Sequence, residues 1–258
     1  MISSNGRRSV HKLLEPMLGL PHTRVDWLGP FEVAQTSYSL PRIIFADPTT
    51  TDPIRIAFFA AIHGDEPAGA LAVCEFVNKL AATPCLAENF HLQLYPVCNP
   101  TGFEDNTRHS RTGKDLNRQF WKGSADPEVQ LLERELREAH FSGLVQLHAD
   151  DTSDGIYGFV RGHTLTEHLL RPALREAGKI LPRNNNAFID GFAARDAIIW
   201  EHYEGVLKAP EGVGTVPFEI ILETPQHAAM ELQVNALIVA SETILTEYRR
   251  LISFAANI

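Results

Sequence analysis

The sequence has few cysteines, no long apolar run and no excess of basic residues. Its three cysteines, Cys74, Cys85 and Cys98, have a spacing that fits neither a zinc knuckle nor a redox CxxC pair. Reduced thiols in a cytoplasmic protein are therefore expected. No stretch approaches the ~18 apolar residues of a transmembrane helix. Glu15 and Pro16 interrupt the apolar part of the N-terminal segment, so it does not predict a signal peptide.

The charge balance excludes one further class of partner. The chain of 258 residues carries 23 basic and 32 acidic side chains, and its net charge of −9 without a basic stripe argues against nucleic-acid binding. Its hydrophobic content of 44% is ordinary for a globular protein with a sizeable core. We expect one domain over residues 1–258, with a strand-rich N-terminal extension, to about residue 50, packed on it. The sequence gives no indication of the oligomeric state.

Strand and helix patterns alternate from residue 54 onward. Apolar runs predict strands at 54–62, 91–97, 144–148, 155–161 and 216–222. Periodicity and capping residues predict helices at 66–80, 126–140, 164–177 and 227–252. Before residue 47, short strand-like pieces are interrupted by Gly29-Pro30 and Pro41. The alternation predicts an α/β three-layer sandwich, with a mixed, mostly parallel sheet and helices on both faces. The irregular stretch 182–214 is long enough to predict a functional loop region.

The stretch His63-Gly-Asp-Glu66 directly follows an apolar strand, where α/β sheets place their ligand sites. An imidazole and a carboxylate are two of the three protein ligands of a His₂Glu catalytic zinc site. His148 ends a later apolar strand and is the natural third ligand. A single histidine at a strand end is more often a hydrogen-bonded core or surface residue, so its ligand role depends on His63 and Glu66.

Glu223 ends the apolar strand that begins near Val216. A carboxylate in this position would be partly desolvated, which raises its pKa toward the range of a general base. Pairing with an arginine is an equally good interpretation of the same position. Glu219 lies on the same face of the strand, because strand side chains alternate.

The segment between residues 107 and 118 concentrates arginine side chains. Such a charge run is commonly a solvated loop. The alternative is a clamp for an anionic substrate, because a guanidinium group binds a carboxylate through two hydrogen bonds and Asn117 adds a neutral donor. A second arginine near a metal could also stabilise a developing oxyanion.

Together these motifs resemble zinc carboxypeptidases of the carboxypeptidase A type and the related succinylglutamate desuccinylase and aspartoacylase enzymes. Each stretch alone is common, whereas five in the family's order are specific. The matching stretches are His63-Gly-Asp-Glu66, Asn99-Pro-Thr-Gly102, Asp115-Leu-Asn-Arg118, Leu147-His148 and Leu222-Glu-Thr-Pro225. The resemblance implies the zinc carboxypeptidase fold, also described as phosphorylase/hydrolase-like.

The resemblance also implies roles for individual residues. One zinc ion per chain would be bound by His63, Glu66 and His148. Glu223 would serve as general base and then as general acid. Asp115 would accept a hydrogen bond from the ligand His63 and so orient it.

The substrate residues follow from the same resemblance. Asn117 and Arg118 would hold the substrate carboxylate. Arg108 stands nine residues before Asn117, the spacing of the oxyanion arginine in shorter bacterial members, and Arg111 is the competing assignment. Tyr203, twenty residues before the base, is a candidate for the tyrosine that closes over the substrate in carboxypeptidases.

One position departs from the family: Gln146 stands where an aspartate usually precedes the third ligand by two residues.

We expect a zinc-dependent hydrolase that cleaves an amide bond next to a free carboxylate, foremost a metallocarboxypeptidase acting on the C-terminal residues of peptides. An N-acyl amino-acid deacylase of the desuccinylase/aspartoacylase type is the alternative. A non-catalytic zinc-dependent binding protein is a remote alternative. Such proteins usually lose a metal ligand or the general base, and this sequence keeps all four of these residues.

Overall fold

The computed structural model describes residues 6–46, 50–200, 207 and 216–255. Its strands are β1 (Thr23–Val33), β2 (Thr36–Ala46), β3 (Ile54–Ala60), β4 (Phe90–Tyr95), β5 (Gly143–Asp150), β6 (Tyr157–Val160), β7 (Phe188–Ile189), β8 (Phe192–Arg195), β9 (Ile198–Ile199) and β10 (Phe218–Pro225). Its α-helices are α1 (Val10–Leu14), α2 (Pro67–Ala82), α3 (Pro100–Asp105), α4 (Pro127–Glu138), α5 (His163–Leu165), α6 (Arg171–Ala177) and α7 (Met230–Ala255). A π-helical turn, Thr166–Leu170, joins α5 to α6, and short 3₁₀ turns cover Glu15–Met17, Pro84–Ala87 and Leu116–Arg118.

The described strands form one sheet in the order β1-β2-β4-β3-β5-β10-β6-β9-β8-β7. Its four central strands, β4, β3, β5 and β10, are mutually parallel. A mixed α/β sheet is therefore confirmed, but the expectation of a mostly parallel one is wrong. Of the nine pairings, five are antiparallel and four are parallel. The antiparallel pairs lie on both sides of the centre: β1–β2 and β2–β4 on one side, and β10–β6, β9–β8 and β8–β7 on the other.

Helices cover both faces of the sheet, as the three-layer prediction requires. Side chains of β3 alternate between two cores, because successive strand residues point to opposite faces. Phe58 packs in the core shared with α2, α6 and α7, whereas Phe59 packs in the core shared with α4. Both phenylalanines are fully buried, so truncating either to alanine should cost about 3–5 kcal/mol of folding free energy. The central strands are thereby held rigidly between two helical layers.

The N-terminal strands differ from their prediction in where they turn. β1 and β2 form a long antiparallel hairpin whose turn lies at Ala34 and Gln35, both with positive φ. The Gly29-Pro30 pair, expected to break the strand, instead lies inside β1 where the register shifts between Leu28 and Phe31. A bulge absorbs a residue without ending the strand, which explains the difference.

The described part of the irregular stretch contains the short strands β7, β8 and β9, which extend the sheet beyond β6. Most of residues 201–215 lies outside the described ranges. Among the helices that the structure describes, none is long and apolar enough to cross a bilayer.

Candidate metal centre and active site

The carboxyl ends of two adjacent central strands, β3 and β5, bring His63, Glu66 and His148 together. Ala61 takes a left-handed conformation, φ 47°, as the chain leaves β3 and delivers His63. Glu66 stands at the N-terminal boundary of α2, while His148 lies within neighbouring β5. Each of the three offers a ligand atom, and these atoms lie within 4.8 Å of one another. Over the described ranges, this is the one group of three or more such side chains that could hold a metal ion.

Glu66 stands between the two imidazoles. Its Oε1 lies 2.5 Å from His63 Nδ1, and its Oε2 lies 2.9 Å from His148 Nδ1. Oε2 also accepts a hydrogen bond of 3.0 Å from the backbone N–H of Ala149. Burial alone would raise the pKa of Glu66, but the charges and hydrogen bonds of His148 and His63 outweigh it and lower that pKa to about 2. The carboxylate is therefore ionised and buried, with only 3% of the residue exposed.

The outward nitrogen of each imidazole faces an acceptor. His63 Nε2 is 3.3 Å from Asp115 Oδ1, and His148 Nε2 is 3.2 Å from Gln146 Oε1. With a proton on each Nε2, both Nδ1 lone pairs point at the Glu66 carboxylate, an arrangement that needs a cation or proton between them. Metal-binding histidines are oriented in this way. The donor set of two imidazoles and one carboxylate therefore fits zinc.

Asp115 connects the ligand His63 to the predicted substrate residues. Its Oδ1 accepts from the Asn117 backbone N–H at 3.0 Å, and its Oδ2 accepts from Arg108 Nε and Nη2 at 3.2 and 3.1 Å. Although burial opposes ionisation, the hydrogen bond of His63 and the charge of Arg108 hold the pKa of Asp115 well below its ordinary value. The Asp115 carboxylate thus holds three groups in place, namely the His63 imidazole, the Arg108 guanidinium group and the start of the Asn117-Arg118 turn.

Arg108 and Arg111, the two candidates for the oxyanion residue, lie in different surroundings. Arg108 lines the cavity beside the metal centre, and its Nη1 is 3.8 Å from Glu66 Oε1. Arg111 does not line that cavity. It donates to Asp105 through Nε at 2.7 Å and Nη2 at 2.9 Å, and it also contacts the Tyr38 hydroxyl. Arg108 is thus the one of the two that lies at the cavity, whereas the Arg111 side chain is held by Asp105 and Tyr38.

Glu223 faces the same cavity, which has a volume of about 280 Å³. It shares this lining with the predicted substrate residues Asn117 and Arg118. Desolvation by burial raises the pKa of Glu223 to about 8, and the negative charge of Glu66 adds to that effect. Among the described residues, no arginine forms an ion pair with Glu223, although Arg108 and Arg118 line the same cavity.

The far side of the cavity is acidic and aromatic. It is lined by Asp150, Asp151, Asp190, Tyr157, Phe159 and Phe192. The Tyr157 hydroxyl donates to Asp150 Oδ2 at 3.0 Å. Tyr203, the candidate for the closing tyrosine, lies outside the described residues.

Asn99 has a position that the motif alone did not reveal. Its Nδ2 donates to the Ile62 carbonyl at 3.2 Å, immediately before the ligand His63, and to the Arg108 carbonyl at 3.4 Å. Its Oδ1 accepts from the Gly102 backbone N–H at 2.9 Å and caps α3. One amide side chain therefore ties the metal-binding turn to the arginine loop. Asn followed by Pro at a helix start was the available signal.

The glycines of both motifs are needed for this packing. A Cβ atom on Gly64 would lie 1.9 Å from the backbone carbon of Gly102, so no larger residue fits. From the other side, Arg8 Nη1 donates to the Gly64 carbonyl at 2.9 Å. The metal-binding turn is thus held between the N-terminal segment and α3.

Comparisons with known proteins agree with this geometry. A model of the succinylglutamate desuccinylase/aspartoacylase catalytic domain matches residues 53–180. A comparison with curated proteins finds no match. Among solved structures, a protein from Shewanella baltica described as a metallopeptidase superposes with a TM-score of 0.75 at 23% identity, covering 92% of this chain and 90% of that one.

Two metallo-carboxypeptidases show the same likeness at lower identity. The enzyme from Burkholderia cenocepacia gives a TM-score of 0.71 at 15% identity, covering 93% of this chain and 68% of that one. The enzyme from Pseudomonas aeruginosa, in complex with (2-guanidinoethylmercapto)succinic acid, gives 0.67 at 19%, covering 95% and 70%. These structures establish a shared fold. The resemblance inferred from the motifs is confirmed: the chain matches the catalytic domain of the succinylglutamate desuccinylase/aspartoacylase family over residues 53–180 and has the fold of the metallo-carboxypeptidases.

Proposed function

We propose that the protein is a zinc-dependent hydrolase that cleaves an amide bond next to a free carboxylate, as a metallocarboxypeptidase acting on the C-terminal residues of peptides. The proposal rests on one main observation. The buried group of His63, Glu66 and His148 lies beside a cavity that also contains a carboxyl group of raised pKa and two arginines. A ligand set, a base and an anion clamp are the parts that such a hydrolase requires.

Zinc bound by the three ligands would supply a Lewis acid that polarises the scissile carbonyl group and acidifies water. Glu223 takes a proton from the attacking water and later delivers it to the leaving amine. Burial raises the pKa of Glu223 above that of an ordinary carboxyl group, which makes it a better proton acceptor. Arg108, fixed by Asp115, donates hydrogen bonds to the oxygen on which negative charge develops.

Arg118 and the neutral amide of Asn117 select the end of the substrate that carries the carboxylate. Arg118 and Asn117 line the cavity and bind the substrate's free carboxylate. The Asn117 Oδ1 is buried without a hydrogen-bond partner among the described residues. As an acceptor it would receive an N–H group of the substrate, whereas the side-chain NH₂ group donates to the carboxylate. The negatively charged end of the substrate is thereby placed next to the metal centre.

A second candidate is an N-acyl amino-acid deacylase, which would use the same residues on a smaller substrate. The observation that favours it is the family model itself, since its catalytic domain is that of succinylglutamate desuccinylase and aspartoacylase. The two activities separate by product: a C-terminal amino acid released from a peptide, or acetate or succinate released from an acylated amino acid.

The test is a substrate panel with the zinc-loaded protein and its Glu223→Gln variant. Peptides with free C-termini and N-acyl amino acids are incubated separately, and products are identified by mass spectrometry. We expect turnover of the peptides and a loss of at least about a hundredfold in kcat in the variant, with zinc still bound. Full activity of Glu223→Gln would remove its role. No turnover by the zinc-loaded wild type on either set would favour a non-catalytic zinc-binding protein.

A further inference from the structure

A chain of hydrogen bonds runs from the metal ligand His148 to a buried carboxylate on the next strand. His148 Nε2 faces Gln146 Oε1 at 3.2 Å. The Gln146 amide nitrogen donates in turn to Glu219 Oε1, which also accepts the Leu207 backbone N–H at 2.9 Å. Gln146 is 1% exposed and Glu219 is 6% exposed, so water does not compete for these contacts.

The two strands place these side chains on one face. Gln146 and His148 are two residues apart on β5 and therefore point the same way. β10 runs parallel beside it, with Ile221 opposite Gln146 and Glu223 opposite His148. Glu219 is two residues before Ile221, so its side chain projects from the same face and reaches the Gln146 amide.

Between His148 and Glu219, the Gln146 amide can satisfy both hydrogen bonds in only one orientation. Glu219 Oε1 accepts from the Leu207 backbone N–H, so this oxygen is an acceptor and receives the NH₂ group of Gln146. The amide oxygen is then turned toward His148 Nε2, and this nitrogen must carry the hydrogen. In the neutral ring the lone pair is left on Nδ1, the atom that faces Glu66.

We propose that Glu219 is a positioning residue that fixes the Gln146 amide and, through it, the His148 tautomer that can bind the metal through Nδ1. This inference rests on the proposed function, because it takes His148 as a metal ligand. It assigns to a glutamine–glutamate pair the place where an aspartate would contact the histidine directly.

The opposite orientation of the Gln146 amide would prevent His148 from binding a metal through Nδ1. If the Gln146 amide were flipped, its NH₂ group would face His148 Nε2 and this nitrogen would have to accept. The hydrogen would then lie on Nδ1, where it blocks the lone pair required by the metal. Nothing in a glutamine side chain itself prefers one orientation, so the choice depends on its second partner, Glu219.

The experiment measures zinc affinity by competition with a chromophoric chelator, in the wild type, four variants of Gln146 and Glu219, and one control variant. Glu219→Leu removes the acceptor at similar volume, and we expect zinc affinity to fall 10- to 100-fold. Glu219→Gln keeps an acceptor oxygen for both donors and should stay within about threefold of the wild type. Gln146→Glu places two carboxylates side by side and should fall at least tenfold.

The fourth variant combines Gln146→Glu with Glu219→Gln and so exchanges the two groups. Its carboxylate accepts from His148, and its amide donates to that carboxylate and accepts from Leu207. We expect recovery to within threefold of the wild type, which a mere cavity or packing effect would not give. Glu135→Leu, the same change at a buried carboxylate bonded to Tyr95 and Arg42, is the matched control and should keep zinc affinity.

A spectroscopic readout accompanies the affinities. In the zinc-loaded protein, the His148 Nε2–H proton should give a slowly exchanging NMR signal that is lost in Glu219→Leu. If Glu219→Leu kept the zinc affinity and the NMR signal of the wild type, the positioning role of Glu219 would be wrong, whereas the metal site itself would not be affected. Failure of the exchanged pair to recover would also overturn that role. If the wild type bound no zinc, both the relay and the proposed function would be wrong.

Discussion

Glu223 and His148 occupy the same register position on two adjacent parallel strands. Their spacing is therefore set by the backbone ladder between β10 and β5 and not by a flexible loop. Residues directly opposite in a sheet project from the same face, so the two side chains lie next to each other on one face of the sheet. A rigid placement of this kind is what a proton-transfer group next to a metal ligand requires.

The raised pKa of Glu223 should make the metal-free protein less stable at higher pH. The carboxyl group titrates near 4.5 when unfolded and near 8 when folded. Between these values the unfolded state binds fewer protons, so the free energy of unfolding falls as the pH rises. Glu223→Gln should remove this loss and stabilise the metal-free protein by roughly 1–3 kcal/mol at pH 8, after allowance for solvent in the cavity.

Urea unfolding of the two chelator-treated proteins from pH 5 to 8.5 measures this difference. We expect the stability curves to converge toward pH 5 and to separate above pH 6. Parallel curves would show that Glu223 ionises in the folded protein as readily as in water.

Loss of any one ligand should abolish stoichiometric zinc binding. His63→Ala, Glu66→Gln and His148→Ala each leave two donors in a site that needs three. Elemental analysis of the purified proteins should give about one zinc per chain for the wild type and much less for each variant. The exposed histidine variant His163→Ala is the control. Unchanged zinc in His148→Ala would show that the metal is elsewhere.

Arg108 and Arg111 should differ in the effects of their alanine substitutions. Arg108→Ala should lower kcat roughly 100- to 1,000-fold with the fold intact, as loss of an oxyanion donor does. Arg111→Ala should instead lower stability by about 1–2 kcal/mol, because it breaks the bonds to Asp105 and Tyr38. Steady-state kinetics and urea unfolding of both variants decide between them, and the reversed pattern would assign the oxyanion role to Arg111.

Recognition of a free carboxylate should depend on Arg118. A peptide amide lacks the charge that this guanidinium group binds, so the wild type should prefer the peptide acid by at least about tenfold in kcat/KM. Arg118→Ala should reduce that preference mainly through a higher KM for the acid. Equal preference in wild type and variant would place the carboxylate elsewhere.

The close contact of Gly64 with Gly102 should make Gly64→Ala strongly destabilising. The added methyl group meets backbone atoms that cannot rotate away, so we expect a loss of more than about 2 kcal/mol and weaker zinc binding. Gly113→Ala provides a contrast, because nothing lies within 4 Å of its Cβ position and only its positive φ opposes the change. A mild effect at Gly64 would mean that the turn relaxes without cost.

The sequence predicted the parts of the fold that local patterns determine. Apolar runs located the central strands, and Pro127 after Asp126 located the start of α4 correctly. The edges were harder, because Gly29-Pro30 indicates a break locally whereas the pairing with β2 carries β1 through it. The direction of the outer strands likewise depends on partners distant in sequence. Hence the proportion of parallel pairs was overestimated.

At the candidate site, residue types at strand ends indicated the ligands, the base and the clamp. The sequence could not tell which of Arg108 and Arg111 lies at the cavity, because the direction of a side chain on an irregular loop depends on contacts distant in sequence. Gln146 was noted only as a departure from the family. Its contact with Glu219 joins two strands that are 73 residues apart in sequence, and no local pattern reports such a pair.

The ligands are attached to the most deeply buried strands of the sheet, and this has a consequence for how metal enters and leaves. β3 and β5 are held between two helical layers, so we expect their ends to keep the same positions with and without an ion. Metal exchange should then be controlled by passage through the cavity and by displacement of protons, with no refolding step. The apoprotein would serve as a ready receptor, able to acquire its ion after folding is complete.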